Sequence, residues 1–199
     1  MIELIKIFEE SLTYNEYRAH VDLLVAAGKT TGLNQSEALL EFTKLNIQRM
    51  NRLDKTIQLN PEQIAKLNQH KKTYNWLLIG DAWCGDCAQI VPIVNKVAEC
   101  MEGAVDFKLI SRDSYPQLIE KHLSNGAKAI PKLLMMHKDT NEVLLTWGPR
   151  PKPAQDIMLH WKENMDTITW EDFEKSLHLW YARDKGAYII NELVELLNQ

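Results

Sequence analysis

The chain predicts an α/β fold, a central mixed sheet flanked by helices, with additional helices at the N- and C-terminal ends. Three observations carry this reading. Trp76 to Gly80 is a nearly continuous apolar run, the pattern of a strand buried on both faces. Val105 to Ile110 reads as a second core strand, separated from the first by a segment of helical periodicity. Lys132–His137 and Val143–Trp147 read as two more strands, and the short polar loop from Lys138 to Glu142 suits an antiparallel hairpin. The order is helices, (β)αβαβαββ, helices.

Residues 1 to about 53 read as helical. Tyr14, Tyr17, Val21 and Leu24 recur at spacings of three and four, which places them on one helix face. Gly28 and Gly32 punctuate the chain, and a second helix is predicted to begin after Asn34 or Ser36, with Leu39, Phe42, Leu45, Met50 and Leu53 as its apolar side. Lys55 to Leu59 alternates polar and apolar residues and suggests a short edge strand. Asn60-Pro61 is a helix start, with asparagine as N-cap and proline at the first helical position, for a helix reaching about His70.

From Cys84 to about Cys100 the pattern is helical, with Ile90, Val94, Val97 and Met101 on one side; Pro92 predicts a kink and Gly103 an end. A short helix is expected over Ser114 to Leu123. Pro149, Pro151 and Pro153 are expected to bar regular structure. Thr169 and Asp172 make a capping-box-like start for a final helical stretch, in which Trp170, Phe173, Leu177 and Trp180 share a face and Gly186 marks a break. The expected division is a helical extension over 1–54, an α/β domain over 55–165 and a second helical extension over 166–199, packed as one unit.

With 45% hydrophobic and 25% charged residues in 199, the composition is that of a globular chain with a buried core. A net charge of −4 does not point to nucleic acid or to an anionic membrane surface. No segment approaches the roughly 20 apolar residues needed to span a bilayer. The start, Met1 to Lys6, lacks the basic and apolar regions of a signal peptide, so a cytoplasmic location is expected. Three cysteines do not suit a secreted disulfide scaffold.

In a reducing compartment, the pair in Trp83-Cys84-Gly85-Asp86-Cys87 points to redox chemistry or metal binding. Two thiols two residues apart, at a junction between strand and helix, can close and reopen a disulfide. A structural zinc site needs four ligands, this motif supplies two, and the six histidines include no H-x₃₋₅-H pair. No metal is expected, and no cofactor beyond the dithiol itself.

These features together resemble the thioredoxin superfamily over roughly residues 55 to 165. Trp83-Cys84-Gly85-Asp86-Cys87 looks like the family's active-site motif, with Asp86 where thioredoxins usually carry proline. Ala129-Ile130-Pro131-Lys132-Leu133-Leu134 looks like the loop whose proline is cis and faces the thiols. Lys108 sits in a strand context similar to the family's active-site lysine, and Gly148 resembles the family's glycine after the last strand. The long helical N-terminus and the C-G-D-C sequence suggest a bacterial thioredoxin-like subgroup. One departure stands out: the buried aspartate expected six residues before the first cysteine is Leu78 here, and Asp81 and Asp86 are the nearby acids.

The resemblance implies a thiol-disulfide oxidoreductase. Cys84, at a helix N-terminus where unpaired N–H groups favour a thiolate, attacks a substrate disulfide. Cys87 resolves the mixed disulfide. Trp83 would offer an apolar platform beside the thiols, Gly85 a tight turn, and Ile130 a backbone edge for an extended substrate. Lys108 would tune the thiols electrostatically. An Asp86 carboxylate about 7 Å from the thiol opposes ionisation by about 1 kcal/mol at an effective dielectric of about 40. The helix terminus favours it by a similar amount, about 0.3–1 kcal/mol. The implied partners are disulfide-containing proteins, with a thiol reductase or small-molecule thiol as electron donor. The alternative is a thioredoxin-like binding or redox-sensing module with little turnover.

Overall fold

The computed structural model describes residues 4–69 and 72–198. Its frame is a five-stranded sheet in the order β1-β3-β2-β4-β5, numbered along the chain. The strands are β1 (Leu12–Thr13), β2 (Tyr74–Ile79), β3 (Val105–Ile110), β4 (Lys132–His137) and β5 (Val143–Trp147). The central strand β2 runs parallel to β3 and antiparallel to β4; β5 and β1 add antiparallel edges. Every residue of β2 is buried, as its apolar run requires, whereas β5 alternates half-buried and exposed residues. In register, Leu78 faces Leu109 on one neighbour and Leu133 on the other.

Helices α1 (Leu4–Glu10), α2 (Tyr14–Ala26), α3 (Glu37–Thr56) and α4 (Pro61–Asn68) precede the sheet's centre; α5 (Gly85–Glu99) and α6 (Pro116–Glu120) lie within it; α7 (Lys152–Glu163), α8 (Trp170–Asp184) and α9 (Ala187–Leu197) follow it. Ser36 caps α3, and Asn60 with Gln63 forms a reciprocal capping box on α4. The hub is α5. Ile90, Val91, Ile93, Val94 and Val97 are all buried along it, with α3, α9 and β3 packed against it. Terminal helices and sheet share one apolar cluster, from Ile7 and Phe8 through the strands to Leu193 and Leu197.

The strand bounds of β3, β4 and β5 are those the sequence predicts, and three expectations are corrected. Lys55–Leu59 is not a strand: α3 runs to Thr56, and the edge beside β3 is instead the two-residue β1. The prolines at 149–153 do not bar structure. Pro151 caps α7 and Pro153 sits in its first turn, where a missing N–H costs nothing. The buried side of α3 is Thr43, Asn46, Met50 and Leu53, while Phe42 and Leu45 face outward. The expected end of α4 at His70 lies outside the described residues; the helix ends at Asn68. Lys185 and Gly186, both at positive φ, make the predicted break between α8 and α9.

Candidate active site at the start of α5

The chain leaves β2 at Ile79 and turns through Gly80-Asp81-Ala82-Trp83 into α5. Cys84 is the N-cap, with extended backbone and no side-chain cap hydrogen bond. The first N–H groups of a long helix, which have no intrahelical partner, therefore lie beside it without being capped by its sulfur. Cys84 is partly exposed, whereas Cys87, one turn deeper, is 1% exposed. The Cys84 thiol lies 3.6 Å from the Ile130 carbonyl oxygen, and the Ile130–Pro131 peptide bond is cis. Sites 46 residues apart in sequence thus meet because β4 starts beside the end of β2. Burial pushes the Cys87 thiol well up, and the adjoining Cys84 adds to this.

Glycines at two positions answer to close approach. A Cβ on Gly80 would stand 2.9 Å from the Cys87 sulfur. Gly148, at φ +103°, lies against the Pro131 carbonyl, where a Cβ would collide with the oxygen. The turn before α5 is also held from the N-terminal side: the Ala82 N–H donates to the Thr31 hydroxyl at 2.8 Å, and the Asn46 amide donates to the Ala82 carbonyl at 2.8 Å.

The residues implied by the resemblance are brought together with one exception. Trp83, Cys84, Gly85 and Asp86 line one cavity, and the carbonyl of Ile130, the residue before Pro131, adjoins Cys84. Trp83 is half-buried, with the Arg112 guanidinium over its ring at 5.1 Å. Lys108 does not join them. Its ammonium donates to the Glu9 carbonyl at 3.1 Å and lies over the Phe8 ring, because β1 and α1 cover that edge of β3.

Asp86 does not stand as a free charge beside the thiol. It is 5% exposed, 2.5 Å from the Arg150 guanidinium, and accepts the Tyr181 hydroxyl at 2.7 Å. Burial pushes its carboxyl up against the opposing pull of Arg150 and Tyr181. The pair leaves the positive end of α5 facing Cys84 without a net opposing charge. Leu78 is fully buried in the sheet, and the acid whose charge acts on the Cys87 thiol is Asp81. Asp81 is fully buried; one oxygen accepts the Ser111 hydroxyl at 2.7 Å and the other has no partner. Burial raises its carboxyl above the usual range.

Sequence reasoning gives no site role to Arg49, Arg150, His178, Tyr181 and Tyr17. Arg49 and His178 reach Gly85 from α3 and α8. Tyr17, from α2, is buried within electrostatic reach of Cys87, Asp81 and Cys84, and burial first, then those charges, pushes its hydroxyl up. The only local signal is the acid inside C-G-D-C, which once buried demands a cation.

A family model described as Thioredoxin matches residues 32–169. The chain belongs to the thioredoxin family. The matched span begins at Gly32, inside the N-terminal helical region, and so takes in α3. The chain is 31% identical over 70 residues to Thioredoxin 1 of Nostoc sp., 30% over 78 residues to a Porphyra purpurea thioredoxin, and 30% over 70 residues to a Synechocystis sp. thioredoxin. These matches cover 35%, 39% and 35% of this chain and 62%, 69% and 62% of the relatives. A crystal structure of a Pseudomonas aeruginosa protein of unknown function superposes with a TM-score of 0.67 at 16% identity, covering 100% of this chain and 98% of that one. An HIV epitope-scaffold superposes at 0.62 and 16% identity, covering 98% and 96%. Both likenesses concern the fold, and they extend over its terminal helices. Among the described residues no helix is long and apolar enough to cross a membrane, and no cluster of three or more metal-ligating side chains occurs.

Proposed function

We propose that this thioredoxin-family chain reduces protein disulfides through Cys84 and Cys87. One observation carries the reading: a partly exposed cysteine occupies the N-cap position of a long helix, with a second, buried cysteine one turn behind it. The Cys84 thiolate attacks one sulfur of a substrate disulfide, forming a mixed disulfide and releasing the other sulfur as a thiolate. Cys87 then loses its proton and attacks the Cys84 sulfur. The intramolecular disulfide forms, the second substrate thiolate leaves, and two electrons have passed to the substrate. An external dithiol reductase or small thiol restores the dithiol.

Asp81 is the acceptor we assign to the Cys87 proton. It is buried, its charge acts on that thiol, it has an oxygen without a partner, and burial raises its basicity above that of an ordinary carboxylate, which favours taking up a proton. Leu78 supplies no such group.

The experiment is reduction of a model protein disulfide with a chemical dithiol as donor. Cys84→Ser is expected to abolish turnover. Cys87→Ser should accumulate a mixed disulfide visible by mass spectrometry, and Asp81→Asn should slow the resolving step while leaving the first attack in place. Turnover that persists in Cys84→Ser refutes the mechanism. A wild-type dithiol that never cycles between oxidised and reduced forms would instead assign the chain to binding or sensing.

A further inference from the structure

Beside Cys84 lies a cavity of about 290 Å³ that the sheet does not build. Its walls come from the helices at the two ends of the chain, Leu39 and Phe42 of α3 and Trp170, Phe173 and Leu177 of α8. Phe42 is 40% exposed and Trp170 52%, so large apolar surface stands uncovered at the mouth. The Arg49 guanidinium reaches the cavity floor at Gly85. Its one side-chain partner is Asn46, at 2.8 Å, and it makes no ion pair within 4 Å among the described residues. A guanidinium has five N–H donors in a planar fork matched to carboxylates. The other cation lining the cavity, Arg150, is already paired with Asp86. Glu174 also lines the cavity and its charge acts on Arg49 from a distance, but the two form no ion pair within 4 Å, which leaves the fork of Arg49 open to a carboxylate at closer range.

Resting on the redox reading above, we propose that this cavity is a specificity site for the polypeptide segment around the substrate cysteine. It takes an apolar or aromatic side chain against α3 and α8 and a neighbouring carboxylate on Arg49. The occupant is a peptide chain rather than a small polar disulfide because the walls are mostly apolar and carry one cation, Arg49, that is in no ion pair within 4 Å among the described residues. The volume admits one or two side chains, and Ile130, beside the thiol, is itself buried, so an extended segment enters where a flat protein surface does not. The chain's net charge of −4 would by itself favour basic substrates, which makes a preference for acidic ones a local property.

The test is the second-order rate at which the reduced wild-type chain is oxidised by disulfide-linked dimers of short peptides, quenched by alkylation and read by mass spectrometry. One peptide has a phenylalanine–cysteine–aspartate core and another a phenylalanine–cysteine–lysine core. Oxidised glutathione and the neutral bis(hydroxyethyl) disulfide complete the set. The acidic peptide is expected to react about fivefold faster than the basic one, the upper range for a half-exposed ion pair. That ratio should fall toward one in Arg49→Met, recover in part in Arg49→Lys, and shrink in wild type at high salt, a reading that needs no variant. Equal rates, or a faster lysine peptide, overturn the proposal. Oxidised glutathione matching the acidic peptide with the same Arg49 dependence would overturn the polypeptide occupant in favour of a small disulfide. No reaction even with the neutral disulfide would sink the redox reading, and the specificity site with it.

Discussion

Replacing Arg150 by methionine should be one of the most damaging single changes near the thiols that touches neither sulfur. Asp86 and Arg150 are buried together, with side chains 5% and 14% exposed, and Tyr181 supplies a further hydrogen bond. Removing one member of a buried pair leaves the other charge without compensation, at a cost of about 3–5 kcal/mol. Here Tyr181 and the charge of Arg49 remain, so the lower figure, about 3 kcal/mol at pH 8, is expected. Urea unfolding measures it, with an unchanged slope confirming that the native state stays compact. The sign with pH follows from the carboxyl. In the variant, Asp86 has a folded pKa raised above its unfolded value. The stability this group contributes is therefore full below the unfolded pKa and is lost as pH rises through the folded one. The gap between wild type and Arg150→Met should then narrow on acidification from pH 8 toward pH 5. Arg150→Met combined with Asp86→Asn should recover at least half of the loss. A cost below about 1 kcal/mol, or a double variant as unstable as the sum of the singles, would refute the claim that Asp86 is held as a paired, buried charge.

Two further outcomes follow from the same geometry. Gly148→Ala forces a side chain into φ +103° and against the Pro131 carbonyl; about 2 kcal/mol or more of stability should be lost, and disulfide reduction slowed, since the Ile130–Pro131 loop must shift. Wild-type stability and rate in this variant would contradict the described packing. His178 lies over Gly85, and burial first, then the charge of Arg49, pushes its imidazole down to about 4. Because the unfolded histidine protonates first, stability should fall between about pH 6.5 and pH 4, by about 1–2 kcal/mol for a group still partly in reach of solvent. His178→Gln should remove that part of the acid sensitivity, and parallel pH curves for the two proteins would dismiss it.

Much of the sheet could be read directly because strand formation here is a local matter of apolar content. The Trp76–Ile79 run within β2 has no polar face to hide, and β3, β4 and β5 are each bounded by turn residues. The N-caps Asn60 and Thr169 were equally legible, since a cap acts on the N–H three residues on, and the structure settles the open choice between Asn34 and Ser36 in favour of Ser36. Local pattern fails where a residue's partner is distant. Thr43 and Asn46 look like the polar side of α3, yet they are buried: Asn46 bonds the Ala82 carbonyl and Thr43 lies against Thr30. Phe42 looks like core and faces the cavity beside Cys84. The two-residue β1 is too short to carry any alternation, and its existence depends on the edge of β3 that it covers.

The sequence by itself determined the cysteine pair and its place at the mouth of a helix, because two thiols spaced by two residues after a buried strand admit few arrangements. Only the tertiary structure decided the surroundings. Burial joined Asp86 to Arg150, 64 residues away, and drew Lys108 to the end of α1. It also left Asp81 beside Cys87 and set α3 and α8 on either side of Cys84. Charge pairing and cavity shape depend on distances through space, and chain spacing constrains those only within a helix turn or a strand.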